Sequence, residues 1–265
     1  MSRIHLFEFE DFPSFPAVWR DLETDFLRFF INSGGVYQVA AELIAKGIQA
    51  SGVRDVVDLC SGGAGPWPTL KAQLEAACGH SVGVTLTDKF PNLAAFEHAR
   101  EQSGGQIDFV PHPVDATAVP REMRGMRTLF TSLHHFQPAV AKGILRDAFD
   151  SRCAIGVFEM TSRTPLMIAA MMATPLLMLL STPFTRPFRF SRLLYTLLLP
   201  VVPLVTTWNG VVSCLRTYST QELRDLVEEM RDPHYGWEIG RVRWRWWLPP
   251  VTFLVGRPAN QHTQR

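Results

Sequence analysis

The sequence is poor in cysteine and in charge. Four cysteines occur in 265 residues, at Cys60, Cys78, Cys153 and Cys214, and none forms a C-x-x-C pair. This spacing argues against a disulfide framework or a structural zinc site, and it favours a reducing, cytoplasmic compartment. A signal peptide needs an apolar run, which the acidic opening "MSRIHLFEFEDFPSF" does not provide, so secretion is not expected.

Charged residues make up 19% of the chain, below the roughly one quarter that is usual for soluble domains. The deficit lies between Thr164 and Leu215. Over the whole chain 26 basic residues nearly balance 25 acidic ones, for a net charge of +1, so no nucleic-acid partner is expected. The length suits one α/β domain with elaborations or two small domains.

From Val53 onward, apolar strand-like segments alternate with helix-like ones. The strand-like segments are "RDVVDLC", "SVGVTLTD", "IDFVPHPVD", "RTLFTSL" and "CAIGVFEM", and two more lie in the terminal "YGWEIGRVRWRWWLPPVTFLVGRP". Apolar strands separated by helices indicate a parallel sheet covered on both faces. We therefore predict a doubly wound, mostly parallel α/β fold with a seven-stranded sheet that ends in a C-terminal antiparallel hairpin.

Residues 1–50 carry two helical patterns separated by "NSGG" at 32–35, which predicts a loop. We predict an N-terminal helical cap over 1–50 and a second domain over 51–265, with an apolar helical insertion at 164–215. The cap either covers a sheet edge or closes over a site, and the sequence leaves both readings open.

The stretch "VVDLCSGGAGPWPTL", residues 56–70, reads as strand, glycine-rich turn and helix. A dinucleotide turn needs a small residue where Pro68 stands, and no phosphate-binding G-x-x-x-x-G-K-[ST] run is present. A nicotinamide-dependent oxidoreductase is therefore disfavoured.

Four segments in order resemble the class I S-adenosylmethionine (SAM)-dependent methyltransferases, across about 53–160 and again in the C-terminal hairpin. They are "VVDLCSGGAG", "TLTDK", "PVDATAVP" and "LFTSLHHF". The resemblance implies SAM as cofactor, with S-adenosylhomocysteine as product. It implies cofactor contacts from Asp58, Cys60, Gly62, Gly63, Asp88, Lys89, Asp115, Ala116 and Ser132.

Within these segments, Cys60 and Ala64 stand where glycine is more usual in the family. The acid Asp88 would hold the ribose, and Asp115 with Ala116 would face the adenine. The alternative is a related α/β fold that has lost cofactor binding or that binds another nucleoside.

Three side chains are candidates for catalysis. His134 and His135 follow the fourth strand, where an imidazole could remove a proton from the methyl acceptor. Glu159 ends the fifth strand, where it could bind substrate, orient a histidine or pair with Arg163. Asp115, His134, His135 and Glu159 could converge on a metal, but no spacing requires it, so we predict none.

Two other side chains follow the uncharged region. Ser213 and Arg216 either return to the site or lie on the surface, and for Arg216 the sequence favours an ordinary surface position.

The insertion holds two uncharged runs, 164–185 and 193–215, around Arg186, Arg189 and Arg192. Pro175, Pro200 and Pro203 and a predicted "WNG" turn oppose a transmembrane hairpin, as does the placing of three arginines outside.

An interfacial element fits better, with apolar helices lying shallowly in the inner face of a membrane and the arginines meeting anionic headgroups. The alternative is a lid over an apolar pocket or a homodimer face. In either case a small, lipophilic acceptor is expected. The rival function is a non-catalytic SAM-fold protein that binds a membrane or a partner through 164–215.

Overall fold

A computed structural model describes residues 1–243, 246 and 250–259. Seven strands form one sheet in the order β3-β2-β1-β4-β5-β7-β6. They are β1 (Val56–Leu59), β2 (Val84–Leu86), β3 (Ile107–Phe109), β4 (Met126–Phe130), β5 (Ile155–Glu159), β6 (Tyr235–Val242) and β7 (Val251–Pro258). The first five pair in parallel, and β7 runs antiparallel to both β5 and β6. The predicted sheet and closing hairpin are confirmed, although the hairpin's connection at 244–245 and 247–249 lies outside the described residues.

Helices connect the strands. They also form the N-terminal segment before β1 and the insertion after β5. They are α1 (Ala17–Gly34), α2 (Ala41–Ser51), α3 (Trp67–Cys78), α4 (Leu93–Gln102), α5 (Pro138–Asp150), α6 (Pro165–Met171), α7 (Thr174–Ser181), α8 (Phe190–Arg192), α9 (Val201–Arg216) and α10 (Thr220–Val227). A π-helical segment, Leu193–Leu198, continues α8, and short 3-10 turns lie at Phe9–Asp11, Val36–Ala40 and Leu133–His135.

Helices cover both faces of the sheet. Successive strand residues point to opposite faces, so they pack against different helices. Val56 packs into the core beneath α2, α3 and α4, whereas Val57 and Leu59 pack into the core beneath α5 and α10. This is the doubly wound arrangement that the alternating pattern predicts.

The strand order reverses next to β1, which has β2 on one side and β4 on the other. The connections that leave the carboxyl ends of β1 and β4 therefore diverge, and ligands of such sheets bind at this edge. The glycine-rich turn follows β1 and the two histidines follow β4, so the sheet brings both candidate regions to one place.

The predicted loop at 32–35 is wrong. Asn32, Ser33 and Gly34 lie in α1, which ends at Gly34 and is capped by Gly35 in the left-handed conformation (φ 60°). The second helix, α2, ends at left-handed Gly52. Residues on both sides of position 50 share one core, and the division of the chain there remains a prediction.

The insertion packs against α1 through a small core of its own, in which Leu22 and Phe26 meet Met178 and Val202. The predicted "WNG" turn is wrong, since 208–210 lies within α9.

Two of the three prolines do not break helices. Pro175 and Pro203 occupy the first turns of α7 and α9, where a missing N–H costs nothing. Pro200 does fall at a break, between the π-helical segment and α9. Among the described residues no single helix has the length and composition to cross a bilayer. Two consecutive helices reach that length and composition only when taken together, and they are bent by 78° relative to each other: Phe190–Leu198 and Val201–Arg216.

Candidate functional site

The turn after β1 folds back on itself through left-handed backbone. Cys60 (φ 57°), Gly62 (φ 53°) and Ala64 (φ 80°) all have positive φ, which is uncommon for residues other than glycine. Cys60 and Ala64 thus adopt a left-handed backbone conformation. Glycine is more usual at these two positions in the methyltransferase family that the sequence resembles. This geometry directs the Gly62 N–H toward the Asp88 carboxylate, with N to Oδ2 at 2.7 Å.

Asp88 follows β2 and lies partly buried against the turn. Its Oδ1 accepts a hydrogen bond from the Phe90 N–H at 2.8 Å, so each carboxylate oxygen has one backbone donor. Burial raises the pKa of Asp88, and these two hydrogen bonds oppose that rise. A carboxylate offers about four lone-pair positions, so Asp88 retains capacity for ligand hydroxyls.

Asp58 lies inside the protein beneath the turn, with 1% of its surface exposed. Its Oδ1 accepts a hydrogen bond from the Thr128 hydroxyl at 2.6 Å, which ties β1 to β4. Burial raises the pKa of Asp58 to about 7, although hydrogen bonds from Thr128 and Ser61 act in the opposite direction. The structure therefore places Asp58 as a support of the turn.

Two further candidates for cofactor contact are less enclosed, namely Lys89 after β2 and Asp115 after β3. Lys89 Nζ lies 3.2 Å from Asp115 Oδ2, and both side chains are exposed. Partial burial would raise the pKa of Asp115. The hydrogen bonds that its Oδ1 accepts from the N–H and hydroxyl of Thr117, together with Lys89, outweigh burial and lower the pKa. Ala116 is buried in the core beneath α5.

Ser132, just after β4, carries a buried hydroxyl that lacks a hydrogen-bond partner among the described residues, apart from a weak contact with the Cys60 thiol. An unpaired buried hydroxyl costs free energy that a bound ligand can recover. The orphaned hydroxyl, the left-handed turn and the spare capacity of Asp88 together fit a polar ligand such as SAM.

Helix α1 lies directly over the glycine turn. A Cβ atom on Gly63 would come within 2.6 Å of the Thr24 carbonyl oxygen, so only glycine allows this approach. Asn32 Nδ2 donates to the Gly65 carbonyl at 2.9 Å. Of the two roles left open for the N-terminal helices, α1 thus has the position of a cover on the candidate site.

His134 is buried and has one paired and one unpaired ring nitrogen. Its Nδ1 lies 2.8 Å from Glu159 Oε2, and its backbone N–H donates to Glu159 Oε1 at 3.3 Å. Its Nε2 has no hydrogen-bond partner among the described residues, and it lies 4.0 Å from Glu8 Oε1. Of the roles considered for Glu159, the structure has it hold a histidine, since Arg163 pairs instead with Glu222.

His135 is surrounded by carboxylates. Its Nδ1 lies 2.9 Å from Asp11 Oδ1, and Glu8 and Glu10 each approach a ring nitrogen to 3.7 Å. Burial alone would lower the pKa of His135, but these carboxylates outweigh it and raise the pKa to about 10. His135 is therefore protonated near neutral pH, and His134 is the better candidate for a ring nitrogen with a free lone pair.

Arg216 is fully buried, so its interpretation as a surface residue is wrong. Its Nη1 lies 3.1 Å from Glu8 Oε1 and its Nη2 lies 2.7 Å from Asp11 Oδ2. Ser213 also donates to Glu8, at 3.2 Å. Both residues at the end of α9 therefore return to the histidines.

Sequence reasoning missed Glu8 and Asp11, because the acids of "FEFED" were weighed only against a signal peptide. Acids alternating with phenylalanines in an otherwise apolar opening were the available signal. Asp115 does not join the histidines, since it pairs with Lys89. Glu8, and not Asp115, lies in a cluster with His134 and Glu159.

The arginines of the insertion mostly face inward. Arg189 Nε and Arg192 Nη2 lie 3.0 and 2.7 Å from Asp25 Oδ2 on α1. The prediction that all three arginines face headgroups is wrong for these two, and Arg186 is the exposed one.

No family model matches the chain, and no curated protein does. Solved structures similar to it include the mitomycin 7-O-methyltransferase MmcR, with a TM-score of 0.47 and 16% identity over 84% of this chain and 54% of that one. Human N-acetylserotonin methyltransferase with SAM has a TM-score of 0.46 and 14% identity, over 84% and 52%. NcsB1, an O-methyltransferase from neocarzinostatin biosynthesis crystallised with SAM and a naphthoic acid, has a TM-score of 0.45 and 16% identity, over 81% and 52%.

The chain thus spans about half the length of these three proteins. With TM-scores below 0.5 at such low identity, the function has to be argued from this chain's own residues.

Proposed function

We propose that the chain is a SAM-dependent methyltransferase that acts on a small, lipophilic acceptor. The observation that carries this proposal is the convergence of two regions at one sheet edge. The left-handed turn with Asp88 follows β1 and β2, and the buried His134 with Glu159 follows β4 and β5.

On this proposal the cofactor lies along the turn. The backbone of Cys60, Gly62 and Gly63 lines it, Asp88 accepts hydrogen bonds from ribose hydroxyls, and the Ser132 hydroxyl gains a partner. Lys89 and Asp115 form the outer, more exposed rim, and Ala116 lies buried beneath it. SAM, when bound, supplies a methyl group that is already activated, so the protein's main task is to position the acceptor and exclude water.

The acceptor is activated on the histidine side. Glu159 accepts a hydrogen bond from His134 Nδ1–H, which leaves the Nε2 lone pair directed into the site. A hydroxyl or amine acceptor must lose a proton during transfer, and His134 Nε2 accepts that proton on this proposal. His135 is held as a cation by the carboxylates of Asp11, Glu8 and Glu10, and it keeps these carboxylates in place.

The acceptor's lipophilic character is inferred from the insertion. Sixteen large apolar residues of 164–215 are exposed, and Leu166, Phe190 and Leu198 each expose more than 70% of their surface. Apolar patches of this kind suit a membrane surface. We propose that the insertion rests on the cytoplasmic face of a membrane and that the acceptor enters from there.

Because Arg189 and Arg192 are paired with Asp25, this contact should be driven mainly by apolar burial and should depend little on salt. Flotation with liposomes, with and without anionic lipid, tests this. Phe190→Glu with Leu198→Glu should weaken partitioning at least about tenfold through loss of apolar burial. The control is Leu93→Glu on α4, which is also exposed but lies outside the insertion. Concentration-dependent self-association without liposome binding would instead indicate a homodimer face.

The cofactor is tested by calorimetric titration with SAM, S-adenosylhomocysteine and NAD in parallel. Binding of the first two with no heat from NAD supports the proposal, and the reverse contradicts it. Turnover then separates an enzyme from a non-catalytic SAM-fold protein: release of S-adenosylhomocysteine with a panel of lipophilic acceptors is expected only of the enzyme.

A further inference from the structure

We propose that Glu8, His134 and His135 bind a divalent transition-metal cation at the acceptor end of the site. One ligand atom from each of the three side chains lies within 4.8 Å of the other two. Cation binding stands on the geometry of these residues alone, and only the role of the cation rests on the proposed methyl transfer.

His134 already has the arrangement of a metal-binding histidine. Its Nε2 is buried, unpaired and directed at the Glu8 carboxylate, 4.0 Å away. Its other ring nitrogen is fixed by Glu159, and a carboxylate on the far side of the ring is the usual partner of histidine ligands because it sets the tautomer and raises basicity.

Glu8 is held rigidly with its carboxylate facing both imidazoles. Its side chain is inaccessible to solvent, and its two oxygens accept one hydrogen bond each, from Arg216 and Ser213. Lone pairs remain on both oxygens, and the second oxygen lies 3.7 Å from His135 Nδ1. Arg216 thus serves as a support behind the carboxylate.

Acidic side chains are concentrated around this point. Four carboxylates lie in the cluster or contact its histidines, namely those of Glu8, Glu10, Asp11 and Glu159. Two guanidinium groups lie against them, Arg216 on the carboxylates and Arg3 on the carbonyl oxygens of His134 and Phe136. Without a metal, these guanidinium groups and the proton on His135 compensate the carboxylates. A divalent cation that binds His135 would displace this proton and take over its part of the compensation.

The donor set points to a class of metal. Two imidazoles and one carboxylate suit Zn²⁺, Co²⁺ or Fe²⁺ better than Mg²⁺ or Ca²⁺, which prefer oxygen ligands alone. Bonds of about 2.0–2.2 Å would draw the ligand atoms roughly 1 Å closer than they now lie, a change within reach of small side-chain rotations. With a cation bound, His134 Nε2 would be a ligand and not the proton acceptor. A position left for the acceptor would let the cation itself lower the pKa of an acceptor hydroxyl.

Cobalt titration of the full-length, chelator-treated protein tests the site directly. We expect visible absorption bands that saturate at one equivalent of Co²⁺ and disappear when Zn²⁺ is added. Glu8→Gln and His135→Asn should each weaken Co²⁺ binding at least about tenfold, because each removes a ligand. His112→Ala, at an exposed histidine that is not part of the cluster, is the control and should leave binding unchanged.

Circular dichroism establishes whether each variant is folded, and Glu8→Asp, which keeps the charge, replaces Glu8→Gln if that variant does not fold. Absence of Co²⁺ bands in the folded wild-type protein would overturn the proposal, as would affinities unchanged by both ligand variants. SAM titration in the presence of chelator reports separately on the proposed function, since the turn that would hold SAM includes none of the three ligands.

Discussion

The two ends of the candidate site are formed by different chemical groups. At the turn after β1, backbone groups and one carboxylate face the ligand, and the Gly62 N–H to Asp88 contact joins residues only 26 positions apart. At the histidine end, buried charged side chains from distant segments meet: Glu8 contacts Arg216, 208 positions away. A backbone site depends on local conformation, whereas a cluster of buried charges fails as a unit when one partner is lost. We therefore expect mutations at the turn to weaken SAM binding, and mutations at the histidine end to reduce turnover or stability.

The largest effect is expected from His134→Ala. Loss of the imidazole should reduce turnover by about 10²–10⁴-fold, the usual contribution of a positioned proton acceptor. SAM affinity, measured by calorimetry, should change less than about twofold, since His134 contacts no part of the turn.

Glu159→Gln sharpens this prediction. It retains a hydrogen-bonding side chain but loses the charge that orients His134, so turnover should fall less than in His134→Ala. If Glu159→Gln left turnover unchanged while His134→Ala abolished it, the orienting role of Glu159 would be wrong.

Arg216→Met should be the most damaging change to stability. It leaves the buried carboxylate of Glu8 and the part-exposed carboxylate of Asp11 without their guanidinium partner, and breaking a buried pair costs about 3–5 kcal/mol of the free energy of unfolding. Urea denaturation measures this. Arg100→Met is the control, since Arg100 pairs only loosely with Glu97 and Asp108 at the surface and should contribute less than about 1 kcal/mol.

The same contrast explains what the sequence could predict. Apolar strands, the turn and the acids that end β2 and β5 are local patterns, so the sheet and the position of Asp88 follow from them. The partners of Glu8 do not, because they depend on how α9 and the N-terminal segment fold back onto β4. The "WNG" turn failed for a related reason: packing of Gly210 against Met171 keeps the segment helical despite its turn-like composition.

Asp58→Asn tests whether Asp58 supports the turn or binds the ligand. The folded protein holds the Asp58 proton up to about pH 7, well above the ordinary pKa of 3.8, so this carboxyl contributes stability at low pH that is lost as pH rises through 7. Asparagine removes that dependence.

Between roughly pH 5 and pH 8, the stability of Asp58→Asn relative to wild type should therefore rise by about 2–3 kcal/mol. Urea denaturation at the two pH values measures it, and SAM affinity should be retained. A pH-independent difference together with lost SAM binding would make Asp58 a ligand-binding residue instead.

Asp88→Ala should have the smallest effect, and it separates the two ends most cleanly. It removes the acceptor for the Gly62 and Phe90 N–H groups and for ribose hydroxyls, so SAM binding should weaken by about 1–3 kcal/mol. Turnover at saturating SAM should stay near the wild-type value, because the histidine end is untouched. His134→Ala shows the opposite pattern, an intact affinity with lost turnover. If Asp88→Ala instead lowered saturated turnover and left SAM affinity unchanged, the turn would not be the cofactor end of the site, and the division between a backbone-built end and a side-chain-built end would have no functional meaning.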